Sequence, residues 1–169
     1  TGSDSKQTWY ELLKSQEISY EMHQQLINYC NKKNIMFLST PYSKESIDLL
    51  ENFNLPAYKI ASFEITDIPL IEYTASRGKP IILSTGIAGK EDIELALKAC
   101  RRVGNNDVAL LKCTSSYPAP IEEANMTMIP EFEERFGVIP GLSDHTMGAT
   151  VPIVATTLGA KIIEKHFIL

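Results

Sequence analysis

Two short clusters near the end of the chain carry its most reactive side chains, Ser143-Asp144-His145 and Glu164-Lys165-His166. Each histidine taken alone reads as a hydrogen-bonded structural residue, because buried polar groups mostly find protein partners. The pair, each member closing a short apolar run, points instead to a shared function. Two imidazoles with carboxylates and hydroxyls around them suit a divalent metal, and Mn, Fe, Co, Zn and Mg all accept such donors. Lys59 lies inside another apolar run, Ala57-Tyr58-Lys59-Ile60-Ala61. An ammonium there needs an anionic partner to offset lost hydration. Ser84-Thr85-Gly86 and Thr114-Ser115-Ser116 offer hydroxyls and loop N–H groups next to helix starts, a cradle for phosphate. A metal beside a phosphate suggests carbon–oxygen or carbon–carbon chemistry on a phosphorylated small molecule.

The elements that must place these residues alternate. Apolar runs starting near residues 35, 57, 80, 108, 138 and 161 read as six strands. Between them lie segments of helical period with recognisable ends. Ser43 caps a helix with the stripe Ile47, Leu50 and Phe53, and Asp67 with Pro69 opens the next, closed by Gly78. A third runs from Lys90 to Val103 before Gly104, a fourth from Thr127 to Phe136, and a fifth from Ala149 to Leu158 before Gly159. Ahead of the first strand, Tyr20 to Lys32 forms a helix with the stripe Met22, Leu26, Tyr29 and Cys30. His23 lies off that stripe and reads as a solvated residue. The polar opening, residues 1–7, reads as a loop.

Strand–helix alternation means a parallel α/β sheet, and continuously apolar strands mean that both faces are covered. All six strands end in hydroxyl, acidic or basic residues. A doubly wound sheet would gather such residues only at its switch point. A (β/α)8 TIM barrel gathers them along its whole C-terminal rim, but needs eight strands and about 250 residues. The expectation is therefore an incomplete TIM barrel of about six βα units, strands 3 to 8, over residues 1–169.

Composition narrows the function classes. A net charge of −5 over 169 residues argues against a nucleic-acid binder. No apolar run is long enough to cross a membrane and no signal-peptide pattern is present. The three cysteines, Cys30, Cys100 and Cys113, lack CxxC spacing and read as reduced thiols, which makes a cytoplasmic protein the default.

Five motifs carry a resemblance. Lys59-Ile60-Ala61-Ser62-Phe63-Glu64, Leu83-Ser84-Thr85-Gly86, Lys112-Cys113-Thr114-Ser115-Ser116-Tyr117-Pro118, Gly141-Leu142-Ser143-Asp144-His145-Thr146 and Glu164-Lys165-His166-Phe167 stand in the order and spacing of the sialic acid synthase family. The run from Tyr58 to Ile71 is most similar to its pseudaminic acid synthase branch. The resemblance implies a TIM-barrel enzyme that condenses phosphoenolpyruvate with an acylamino-sugar aldehyde. The products would be a nine-carbon 2-keto acid and phosphate. It implies that His145 and His166 bind a divalent metal, Mn2+ first and Mg2+ or Co2+ as alternatives. It places Thr40, Lys59, Ser62, Ser84, Ser115 and Ser143 on phosphoenolpyruvate, and Glu64 and Tyr117 at the sugar. It implies a homodimer for the full-length parent, with a C-terminal antifreeze-like domain and two N-terminal strands that this chain lacks. Two other readings stand beside it: a non-catalytic ligand-binding fragment, and another metal-dependent barrel aldolase or lyase.

Overall fold

Helix ends in this chain are set by a few polar side chains and by residues that accept a left-handed backbone. The computed structural model describes residues 8–15 and 17–167; the loop expected at residues 1–7 lies outside them. The chain divides into two compact units, Thr1–Phe37 and Leu38–Leu169.

The first unit contains α1 (Trp9–Ser15) and α2 (Tyr20–Lys33). Ser19 caps α2 by accepting the Met22 N–H at 3.2 Å, and Asn34, at φ 55°, ends it. The stripe expected to be buried, Met22, Leu26 and Tyr29, is exposed, whereas His23 is buried. The reading of His23 as solvated is thus corrected. Helical side chains lean toward the N-terminus of their helix. That lean brings His23 Nδ1 to 2.9 Å from the Ser19 carbonyl, and the ring stands edge-on to Phe37.

In the second unit Ser43 caps α3 (Lys44–Glu51), its hydroxyl accepting the Ser46 N–H at 3.2 Å. Asp67 caps α4 (Ile68–Ala75) by accepting from Leu70 N–H at 3.0 Å, with Pro69 in the first turn where no N–H is needed. The unit continues with α5 (Lys90–Arg102), α6 (Met128–Phe136) and α7 (Thr150–Thr157). Five strands alternate with these helices: β1 (Tyr58–Ile60), β2 (Ile81–Ser84), β3 (Val108–Cys113), β4 (Ile139–Asp144) and β5 (Ile162–Lys165). The sixth strand, expected from Ile35 to Leu38, is not formed, and Ile35 and Met36 are exposed. A strand exists only through its ladder. The ladder of β1 runs to β2 alone, and Pro41 removes a donor just past the segment.

All four ladders are parallel, in the order β1-β2-β3-β4-β5. A doubly wound sheet reverses its strand order at a switch point beside its first strand. This one never reverses, so it is part of a barrel, as the sequence indicates, with five strands in place. Behind the sheet, Tyr58, Ile60, Leu83, Leu110, Ile129 and Phe132 are essentially inaccessible to water. Each contributes about 2 kcal/mol by its burial. Residues of one strand alternate between the two faces. The register aligns Cys113, Ser143 and Glu164 in one row, and Asp144 with Lys165 in the next row on the opposite face.

Candidate active site at the C-terminal rim of the sheet

The row formed by Cys113, Ser143 and Glu164 faces a cavity of about 520 Å3 at the C-terminal ends of the strands. Lys59 and Ser84 line it from β1 and β2. Lys59 Nζ donates to Ser84 Oγ at 2.7 Å and to the Ile60 carbonyl at 3.0 Å, and lies 3.8 Å from Glu164 Oε2. Ser143 Oγ donates to Glu164 Oε1 at 2.6 Å. One hydrogen-bonded row therefore crosses the cavity floor from β1 to β5. Burial pushes the Lys59 ammonium below its ordinary pKa, against the opposing charges of Glu164, Cys113 and Glu64. The single carboxylate at 3.8 Å is half exposed, which leaves the lysine short of anionic partners.

Ser62 and Glu64 come from a short 3-10 turn directly after β1. Ser62 Oγ accepts the Gly86 N–H at 3.0 Å, tying this turn to the loop after β2. Thr85 fixes that loop from the other side, its N–H and hydroxyl both donating to the Leu111 carbonyl. Glu64 lines the cavity, and its Oε2 is buried without a hydrogen-bond partner among the described residues. Burial raises its carboxyl above the ordinary range, although its own backbone N–H and Lys59 pull the other way.

His145 and His166 line the same cavity, their ring centroids 5.2 Å apart. Tyr117 packs over both, at 4.2 Å from His145 and 5.7 Å from His166. His145 Nδ1 lies 3.0 Å from the Thr114 carbonyl. A carbonyl only accepts, so Nδ1 carries a hydrogen, and in the neutral ring Nε2 is then the nitrogen with the lone pair. A fixed tautomer of this kind is what a metal-ligating histidine requires. No group of three or more His, Cys, Asp or Glu side chains suited to a metal occurs among the described residues. Two imidazoles alone could supply two positions of a divalent ion and would leave the rest to oxygen donors from outside the chain.

The structure gathers nine of the ten residues singled out from sequence. Thr40, Lys59, Ser62, Glu64 and Ser84 line one side of the cavity, and Tyr117, Ser143, His145 and His166 the other. Ser115 does not line it. Its hydroxyl lies 3.9 Å from Cys113 Sγ and close against Gly86. Sequence reasoning gave no role to Glu164, which joins Ser143 and Lys59, or to the pair Asp144 and Lys165. The signal was available: Glu164 is two residues before His166 and so shares its face of the strand. Tyr42 also lines the cavity, its phenol raised by burial and by the nearby Glu64, Tyr117 and Glu164.

Known proteins with the same arrangement are numerous. Pseudaminic acid synthase of Helicobacter pylori is 50% identical over 164 residues, covering 97% of this chain and 48% of that protein. The crystal structure of spore coat polysaccharide biosynthesis protein SpsE of Bacillus subtilis superposes with a TM-score of 0.87 at 40% identity, over 97% of this chain and 46% of that one. The N-acetylneuraminic acid synthetase of Leptospira borgpetersenii does so with a TM-score of 0.89 at 35% identity, over 92% of this chain and 54% of that one. The chain thus spans about half the length of these relatives. The profile of the NeuB family matches residues 1–169. With this match and the sequence identity in agreement, the chain belongs to the NeuB family.

Proposed function

We propose that the full-length protein containing this chain condenses phosphoenolpyruvate with an acylamino-sugar aldehyde to form a nine-carbon 2-keto sugar acid of the pseudaminic or sialic type. The observation that carries this reading is the floor row Lys59–Ser84 and Ser143–Glu164 facing His145 and His166 in one cavity. A cation short of anionic partners sits there beside two imidazoles, of which His145 is oriented by the Thr114 carbonyl. Relatives named as synthases of pseudaminic, legionaminic and N-acetylneuraminic acids supply the substrate class.

In this reading Lys59, Ser62, Ser84 and Ser143, with Thr40 at the rim, hold the phosphate and carboxylate of phosphoenolpyruvate. Ser115 acts by bracing the Gly86 loop. Divalent Mn2+, with Mg2+ or Co2+ as alternatives, bound by His145 and His166, would supply Lewis acidity toward the aldehyde oxygen. Carbon 3 of phosphoenolpyruvate forms the new bond to the aldehyde carbon. Cationic character develops at carbon 2, which the negative charge of Glu164 in the cavity would offset. The aldehyde oxygen gains a proton, for which Glu64, with its raised carboxyl, is the donor. Water adds at carbon 2, and loss of phosphate with C–O cleavage leaves the ketone. Tyr117 lies against the acceptor sugar. The cytoplasm, with a homodimeric assembly, is the setting this chemistry fits.

Phosphoenolpyruvate labelled with 18O at its bridging oxygen tests the reaction in the full-length protein. Labelled phosphate, formed only when the amino sugar is present, is the expected result. Unlabelled phosphate, or release without sugar, would reject it. His145→Ala and His166→Ala should each remove Mn2+ from the purified protein by elemental analysis; unchanged metal in both would reject the metal assignment.

A further inference from the structure

We infer that Lys112, which lies outside the cavity, is a positioning residue that fixes the tautomer of His145 through Thr114. The inference rests on the metal reading above only for what His145 then binds.

Lys112 precedes Cys113 in β3 and therefore points to the opposite face of the sheet. It is buried, yet among the described residues it forms no ion pair. Glu123 acts on it only from beyond ion-pair distance, and a buried ammonium without a contacting carboxylate is a cost that an aliphatic side chain would avoid. No small molecule explains it either, because the adjacent crevice, also lined by Thr114 and His145, holds only about 10 Å3. Space of that size takes at most one water.

What Lys112 does hold is the turn that follows β3. Its Nζ donates to the Cys113 carbonyl at 2.8 Å and to Thr114 Oγ1 at 3.0 Å. Thr114 Oγ1 in turn donates to the Glu123 carbonyl at 3.1 Å. The threonine hydroxyl is thereby committed on both sides. The carbonyl of the same residue accepts from His145 Nδ1 at 3.0 Å. The backbone of His145 is already tied down, its carbonyl accepting from Ala119 N–H at 2.9 Å. The remaining freedom is rotation of the imidazole and the choice of protonated nitrogen. The Thr114 carbonyl constrains both, beside a longer contact of Nδ1 with Cys113 Sγ at 3.8 Å, and Lys112 anchors Thr114 through its side chain and through the carbonyl that precedes it. Burial lowers the proton affinity of Lys112, consistent with a group retained for its donors at a cost.

The test compares Lys112→Met, Lys112→Arg and Thr114→Val with the wild type, all in the full-length protein. Thr114→Val removes one acceptor for Lys112 and keeps the carbonyl. One readout is the 15N imidazole spectrum of His145 without metal, and the second is calorimetric titration with Mn2+ alone. The wild type should show a single Nδ1–H tautomer. Lys112→Met should show tautomer averaging and bind Mn2+ about tenfold more weakly, the lower end of effects seen for groups that orient a ligand. Lys112→Arg, which keeps the donors, should stay within about twofold of the wild type. Should Lys112→Met not fold, Thr114→Val decides, and a shift in the same direction supports the inference. An unchanged tautomer and affinity in Lys112→Met, or in Thr114→Val where it decides, would overturn it. So would an arginine variant as impaired as the methionine one. A wild type that binds no Mn2+ would remove the metal reading instead, and the tautomer readout would still decide the role of Lys112.

Discussion

Asp144 and Lys165 are partners across the β4–β5 ladder, and each directly precedes one of the two site histidines. Their side chains form an ion pair on the opposite face of the sheet from Ser143 and Glu164, with Asp144 almost wholly buried and Lys165 a third exposed. Asp144 Oδ1 also accepts the N–H and the hydroxyl of Thr146, and Lys165 donates to the Thr146 carbonyl at 2.7 Å. The pair thus closes a clamp around His145 and joins the ends of the two strands from which the histidines project. Removing the cation leaves a buried carboxylate, whereas removing the charge on Asp144 leaves a lysine that can turn to water. Lys165→Met should therefore destabilise more than Asp144→Asn, by about 2 kcal/mol against about 1 kcal/mol. Denaturant unfolding measures both. Equal stability of all three proteins would show that the clamp is not a structural device.

That clamp also shows where a linear reading stops. The strand periods, the caps at Ser43 and Asp67, and polar strand ends at one rim were all legible, because local chemistry sets each of them. The face on which Asp144 and Lys165 meet depends on register between strands, which no local pattern encodes. The run Ile35-Met36-Phe37-Leu38 has the composition of a strand, but a strand requires a neighbour. His23 failed for a related reason. A stripe gives the side of a helix that is apolar, while burial depends on what packs there, and Ser19 and Phe37 enclose the ring instead.

Lys59 should set stability against binding. In the unliganded fold its ammonium is desolvated, with its pKa below the ordinary 10.5. Between that lowered value and 10.5 the unfolded chain binds more protons than the folded one, so stability rises with pH across the window. Lys59→Met removes the penalty and keeps most of the volume. We expect the variant to be more stable at neutral pH by on the order of 1 kcal/mol. The advantage should shrink as pH rises toward 10.5. Phosphoenolpyruvate should bind on the order of 2–3 kcal/mol more weakly, about thirty- to a hundredfold, with Mn2+ binding retained. Thermal unfolding across pH and calorimetric titration measure the two effects. An affinity equal to the wild type would remove Lys59 from the anion site.

Glu64 should act in its protonated form. Burial favours the neutral carboxyl and leaves Oε2 without a partner among the described residues. Activity that depends on this acid falls as pH rises through its raised pKa. In the full-length protein Glu64→Gln should fold normally, turn over slowly at every pH, and lose that limb of the profile. A glutamine variant with the same rate and the same limb would assign the proton to another group.

Gly86 offers the sharpest test of the anion cradle, because its role is steric. A Cβ built there would stand 2.2 Å from Ser115 Oγ, 2.8 Å from Ser62 Oγ and 3.1 Å from Cys113 Sγ. Ser115 Oγ has only a 3.9 Å contact with Cys113 Sγ to hold it, but the other two neighbours cannot simply retreat. Ser62 Oγ is held by the Gly86 N–H itself, at 3.0 Å, and Cys113 is a buried strand residue in register with Ser143. An added methyl must therefore push the loop after β2 away from the turn after β1, breaking the Gly86–Ser62 bond that joins them. The histidines directly follow β4 and β5 and are not among the nearest atoms that the added Cβ would meet. Gly86→Ala should weaken phosphoenolpyruvate binding by about tenfold or more, corresponding to loss of one to two well-placed hydrogen bonds. Mn2+ affinity should stay close to the wild type. Ser115→Gly in the same chain removes the nearest obstacle and should restore part of the loss. Titrating both variants with phosphoenolpyruvate and, separately, with Mn2+ checks this. A Gly86→Ala protein that binds phosphoenolpyruvate as the wild type does would show that the loop after β2 takes no part in holding the anion.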